Sequence, residues 1–227
     1  MPVFVNSPVH GAYNSLWATE FWVGATRGPV QILETRQCLA CSPLFIVEDN
    51  KALQPSLIVK EPGDPVGVIL YVRRPTAANA RFNLRVQDLS RQALTWGTEL
   101  PVVREGDLRT DEVVLLNIPL DDRFRQALRI YDVSGNSGSS FKVTVEEIAS
   151  GTVLAEETAT TAGGRFFASD FPVTAAMVEI TDLRARLALP ASGAVRVIVS
   201  ATTPTPFWAF VTVTNNETQH VTTITPQ

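Results

Sequence analysis

Cys38 and Cys41 stand in a C-x-x-C spacing and are the two cysteines of the chain. By type they are the residues best suited to redox or metal chemistry. A structural zinc site needs a second pair of ligands, and no second pair follows. A thioredoxin-like site needs the motif at the start of a helix, and Ser42-Pro43 directly after it breaks a helix. The favoured reading is a local disulfide, with free thiols next and a metal or redox role last. Residues three apart in an extended strand are too distant to bridge, so Cys38-Leu39-Ala40-Cys41 has to form a turn. So small a ring contributes roughly 2 kcal/mol by chain entropy and implies an oxidising compartment.

The rest of the catalytic supply is thin. The two histidines, His10 and His220, lie near opposite ends of the chain. Each reads as a surface residue; a joint site with Cys38 and Cys41 is a minor alternative. No G-x-S-x-G, H-E-x-x-H, P-loop or G-x-G-x-x-G pattern occurs. Adjacent carboxylates do occur, at Asp111-Glu112, Asp121-Asp122, Glu146-Glu147 and Glu156-Glu157. Neighbours in a strand point to opposite faces, so such pairs do not converge on one glycosidic bond. Asp132-Val-Ser-Gly-Asn-Ser-Gly138 alternates oxygens like a calcium loop but lacks the further acidic ligands, and reads as a hairpin loop. No cofactor, metal or catalytic residue is assigned.

Aromatic residues supply the candidate contacts. The four tryptophans are Trp17, Trp22, Trp96 and Trp208. Sugar-binding modules expose aromatics in a row, but Trp17 and Trp22 are five apart and take opposite faces of a strand. Trp17, Trp22, Trp208 and Phe210 are the candidate binding or interface aromatics, set against a core role for each.

The elements that position these residues read as strands. Of 227 residues, 45% are hydrophobic and 19% charged, which describes a folded chain rather than a disordered one. Fifteen prolines and thirteen glycines cut it into short apolar runs. A first set of strands covers 16–23, 30–33, 44–47, 57–59, 66–72, 82–86, 100–103 and 113–118, with a turn at Glu61-Pro62-Gly63-Asp64-Pro65. Val66 to Val72 is continuously apolar, as in a strand buried on both faces. A second set covers 128–133, 141–148, 152–157, 177–180, 194–200, 207–214 and 221–224. Asp182 can cap a short helix to Ala188 that links strands across a sandwich. Pro119-Leu120-Asp121-Asp122 is the expected boundary. The predicted fold is all-β: two tandem immunoglobulin-like antiparallel β-sandwich modules, at 1–120 and 121–227.

Internal echoes favour duplication. Phe82-Asn-Leu-Arg-Val-Gln-Asp-Leu89 and Phe141-Lys-Val-Thr-Val-Glu-Glu-Ile148 share F-x-[LV]-x-V-x-[DE]-[LI]. Leu70-Tyr71 echoes Ile130-Tyr131, and Leu16-Trp17-Ala18 echoes Phe207-Trp208-Ala209. Alternating strands also look alike by chance.

The runs Arg85-Val-Gln-Asp-Leu-Ser-Arg91, Trp96-Gly-Thr-Glu-Leu-Pro-Val-Val-Arg-Glu105, Leu115-Leu-Asn-Ile-Pro119 and Leu128-Arg-Ile-Tyr-Asp132 carry a resemblance. So do Arg123-Phe-Arg125, the opening Ser15-Leu-Trp-Ala-Thr-Glu-Phe-Trp22 and the closing Phe207-Trp-Ala-Phe-Val-Thr-Val-Thr-Asn-Asn216. Together they resemble a group of uncharacterised exported bacterial proteins with Ig-like β-sandwich modules. The resemblance implies a secreted or cell-surface domain and brings no activity.

Charge and hydropathy narrow the partners. Net charge is −4, a poor match for the phosphate neutralisation that nucleic-acid binding requires. No apolar run reaches the ~20 residues of a membrane helix. The N-terminus reads as that of a leaderless mature domain or of an intracellular protein. The expected function is a non-catalytic extracellular structural or adhesive protein, self-assembling through edge strands at Val3–Val5 and Val221–Ile224. Its partners would be a homo-oligomer or another extracellular protein. A carbohydrate-binding module for polysaccharide is the alternative, and a virion or phage structural protein a further one.

Overall fold

The computed structural model describes residues 2–3, 5, 7–33, 42–55, 66–135, 138–165, 173–191 and 193–226. Cys38, Cys41, the expected strand at 57–59 and the turn at 61–65 lie outside the described residues. The all-β expectation holds: antiparallel strands dominate, and the one α-helix among the described residues is a single turn. The chain divides into two compact units. Unit 1 is Met1–Val103 with Arg165–Ala175; unit 2 is Arg104–Gly164 with Ala176–Gln227.

Unit 1 contains β1 (Val9–His10), β2 (Leu16–Ala25), β3 (Val30–Leu33), β4 (Phe45–Val47) and β5 (Ala52–Leu53). It continues with β6 (Gly67–Ile69), β7 (Tyr71–Val72), β8 (Ala80–Asp88) and β9 (Thr98–Leu100). One sheet runs β1-β2-β8-β9 with β5 also on β2, and another runs β4-β3-β7. Alternation sorts the long β2–β8 pair into two faces. Phe21, Val23 and Ala25 face inward with Leu84 and Ala80, all buried. Glu20 and Trp22 lie outward, opposite Arg85 and Asn83.

Two expectations change here. Val66–Val72 is not one strand buried on both faces. It breaks at Leu70, and β6 and β7 pair with different partners, Val173–Ala175 and β3. Of its residues only Gly67 and Val68 are buried. Val3 and Val5 form no open edge either. Both are buried, and Thr19 ties them down: its Oγ1 accepts from the Val5 amide at 3.1 Å and donates to the Val3 carbonyl at 3.4 Å.

Unit 2 holds β10 (Glu112–Pro119), β11 (Phe124–Asp132), β12 (Ser140–Glu147) and β13 (Val153–Thr160). Residues 176–181 of β14 (Val173–Thr181) follow, then α1 (Leu183–Arg186), β15 (Ala194–Ala201), β16 (Phe207–Asn215) and β17 (Val221–Ile224). One sheet is β10-β15-β12-β13, and the other is β17-β16-β11-β14. Alternate residues of both close over one core. Val143, Val145, Val197 and Leu115 come from the first sheet, and Leu128, Ile130, Ala209 and Val211 from the second. Phe141 meets Phe207 across that core, their ring centroids 4.9 Å apart. In β10 the register against β15 shifts between Leu115 and Ile118, with Asn117 at φ 61°. This bulge keeps Val113, Leu115 and Ile118 all facing inward.

Pro119–Asp122 is the crossover from β10 in one sheet to β11 in the other, inside unit 2. Buried Gln126 holds it, donating from Nε2 to the carbonyls of Pro119 (2.7 Å) and Phe124 (3.1 Å). Asp182 caps α1 as expected, its carboxylate accepting from the Ala185 amide at 3.3 Å. The sequence echoes do not occupy equivalent places. β2 and β8 are neighbours in one sheet, whereas their counterparts β16 and β12 lie in opposite sheets.

Candidate functional site

The solvent-facing side of the β2–β8 pair in unit 1 gathers the exposed aromatic chemistry. Trp22 is 37% exposed, and its indole Nε1 donates to Glu20 Oε1 at 2.7 Å. The two residues share a face because they are two apart in a strand. Arg85 lies directly opposite Glu20 and reaches it at 3.4 Å. The same guanidinium lies over the Trp96 ring, 5.4 Å from its centroid. Trp96 is 74% exposed. An unbroken row of contacts therefore runs Trp22–Glu20–Arg85–Trp96.

Backbone geometry sets Trp96 in place. Gly97 adopts φ +91°, and a Cβ there would lie 2.6 Å from the Val86 carbonyl oxygen. Only glycine turns the chain this tightly against β8. The turn carries Trp96 over Arg85 before β9 begins at Thr98.

Asp88 locks the end of the same strand pair. It is 1% exposed and opposes Trp17. It accepts from the amides of Leu16 (2.9 Å) and Ser90 (3.0 Å), from Ser90 Oγ (2.6 Å) and from Arg91 (2.5 Å). Burial pushes its carboxyl upward, but the donors from Ser90, Leu16 and Arg91 outweigh burial and hold it below the usual carboxylate range.

The other candidate aromatics are placed differently. Trp17 is half-buried on the inward side of β2, where a Cβ on Gly11 would lie 2.6 Å from its Nε1. Trp208 and Phe210 are 6% and 0% exposed. They stack with ring centroids 5.0 Å apart, and Phe210 also stacks on buried Tyr131 at 6.2 Å. They are packing residues, not open platforms. Sequence reasoning left Trp96 out of the site; the signal was Gly97 after it, a residue that lets the backbone close on a neighbouring strand.

The paired carboxylates go to separate partners, those within strands because alternation puts neighbours on opposite faces. Glu156 pairs with Lys142 at 2.6 Å and Glu157 with Arg186 at 2.8 Å. Glu146 pairs with Arg196, while Glu147 accepts from Ser150. Asp121 pairs with Arg123 at 2.8 Å and Asp122 with Arg184 at 2.5 Å. His10 lies exposed in β1, and His220 lies exposed in the β16–β17 hairpin. Asp132 is buried, accepting from the Ser134 amide at 2.7 Å and from Thr205 Oγ1 at 3.3 Å, so it braces its own turn. Asn136 and Ser137 of that loop lie outside the described residues. Among the described residues, no three His, Cys, Asp or Glu side chains cluster as metal ligands. No helix among them is long and apolar enough to cross a membrane.

The chain matches no family model, no curated protein and no solved structure.

Proposed function

We propose that this chain is a non-catalytic extracellular structural or adhesive protein that self-associates through β17, by the outward backbone of Thr223. The observation that carries this reading is a contrast among the sheet edges of unit 2. β10 has the bulge at Asn117 and ends in Pro119. β13 carries Glu156 and Glu157. β14 is bridged at Met177 by Ala162. Each of these devices discourages a further strand from adding. β17 reads Val-Thr-Thr-Ile, with no charge, proline or bulge. The Asn215 amide donates to the His220 carbonyl, so alternation points the Thr222 and Ile224 amides at β16 and the Thr223 amide away from it. An outward amide in an uncharged β-branched strand is a template for β-augmentation.

A second tandem sandwich, export and a surface location complete the proposal, supported by the resemblance and by the closed core of unit 2. Unit 2 departs from immunoglobulin connectivity: its first strand pairs with its sixth element of sheet, β15, whereas that fold pairs its first strand with its second. Sedimentation velocity over a concentration series tests the edge. Wild type is expected to associate and Thr223→Lys to stay monomeric; association that persists in Thr223→Lys rules the edge out.

The second reading, a module for polysaccharide, is favoured by one specific observation: Trp22 and Trp96 are exposed on one sheet.

A further inference from the structure

We infer that the outward face of β2 and β8, between Trp22 and Trp96, binds the pyranose rings of a neutral polysaccharide. This rests on the carbohydrate reading and assigns its site. A pyranose presents C–H groups on its flat faces and hydroxyls around its rim. It is held by aromatic faces and by planar hydrogen-bonding groups beside them. This sheet face has both. Arg85 covers one face of Trp96, and the 74% exposure of that indole leaves its other face open. Asn83 is the cross-strand partner of Trp22 and adds a side-chain amide to the same face. Between the two indoles lies the Glu20–Arg85 pair, donor and acceptor together.

Both rings are held before any ligand arrives, Trp22 by its bond to Glu20 and Trp96 by Arg85 and the Gly97 turn. Rings already fixed lose little freedom on binding. The charges choose the class of sugar. Arg85 is matched by Glu20, and exposed Glu99 faces it from β9. Exposed Arg81 shares this face of β8 and donates to the carbonyls of Ala78 and Ala80, so two guanidiniums stand with two carboxylates, and a face without net charge selects an uncharged ligand.

The test is calorimetry and tryptophan quenching with hexasaccharides of β-1,4-linked glucose and of β-1,4-linked mannose, using polygalacturonate as the anionic control. Wild type is expected to bind at least one neutral oligomer saturably. Trp96→Ala and Trp22→Ala should each weaken that binding about tenfold with thermal midpoints unchanged, and Trp96→Phe should recover part of it. Binding that survives both alanine variants overturns this site and leaves the carbohydrate reading standing. Absence of binding to every neutral oligomer overturns both. Tighter binding to polygalacturonate than to neutral chains overturns the choice of ligand.

Discussion

At Asp88 four donors converge on one buried carboxylate, joining the start of β2 to the end of β8. Removing the carboxylate strands those donors, so Asp88→Ala should cost about 2–4 kcal/mol in urea unfolding. Its folded pKa lies below the unfolded value of about 3.9. The stability it contributes is therefore complete above that pH and drains away as pH falls towards the folded value. Stability measured between pH 5 and pH 2 should fall less steeply in Asp88→Asn than in wild type. Tyr131 acts at the other limb. Its phenol is buried with no hydrogen-bond partner, and burial pushes it well above the ordinary value near 10. Above that pH the unfolded chain loses the proton first, so stability falls. Tyr131→Phe should flatten this alkaline loss and be neutral or slightly stabilising at pH 7, because the hydroxyl has no partner to lose.

Among the elements, those with unbroken alternation are legible in the sequence. β3 and β17 match their expected ranges to the residue, and α1 follows its Asp182 cap. In such strands side-chain period and burial are the same fact. Elements set by distant contacts are not legible. Val66–Val72 reads as one apolar run, yet it serves two partners that local sequence does not name. The bulge at Asn117 and the Gly97 turn are backbone events whose cause is a neighbouring strand. For the same reason two of the four candidate binding or interface aromatics, Trp208 and Phe210, are buried: β16 is buried on both faces. Phe141 sits at the centre of the legible part. Phe141→Ala should cost about 3–5 kcal/mol by denaturant unfolding, since it loses both its own burial and its contact with Phe207.

For the whole molecule, the two units are not two successive lengths of chain. The chain leaves unit 1 after Val103, returns for Arg165–Ala175, and leaves again. The returning stretch supplies Val173–Ala175, which pair with β6. An expected even split near residue 120 had no means of seeing this, because residues far apart in sequence carry the pairing. A fragment of residues 104–227 retains both sheets of unit 2 and should unfold cooperatively by circular dichroism. A fragment of residues 1–103 lacks the partner of β6 and should be markedly less stable alone. Equal stability of the two fragments would show that the returning stretch contributes little to unit 1.

The same returning stretch bears on how the protein is made. Ribosomes deliver chains from the N-terminus, and a first domain ordinarily folds while the next is still being translated. Here the N-terminal unit stays unfinished until Ala175 has been synthesised, when β10 to β13 are already complete. The nascent chain thus carries the unclosed core of unit 1 through the whole synthesis of β10 to β13.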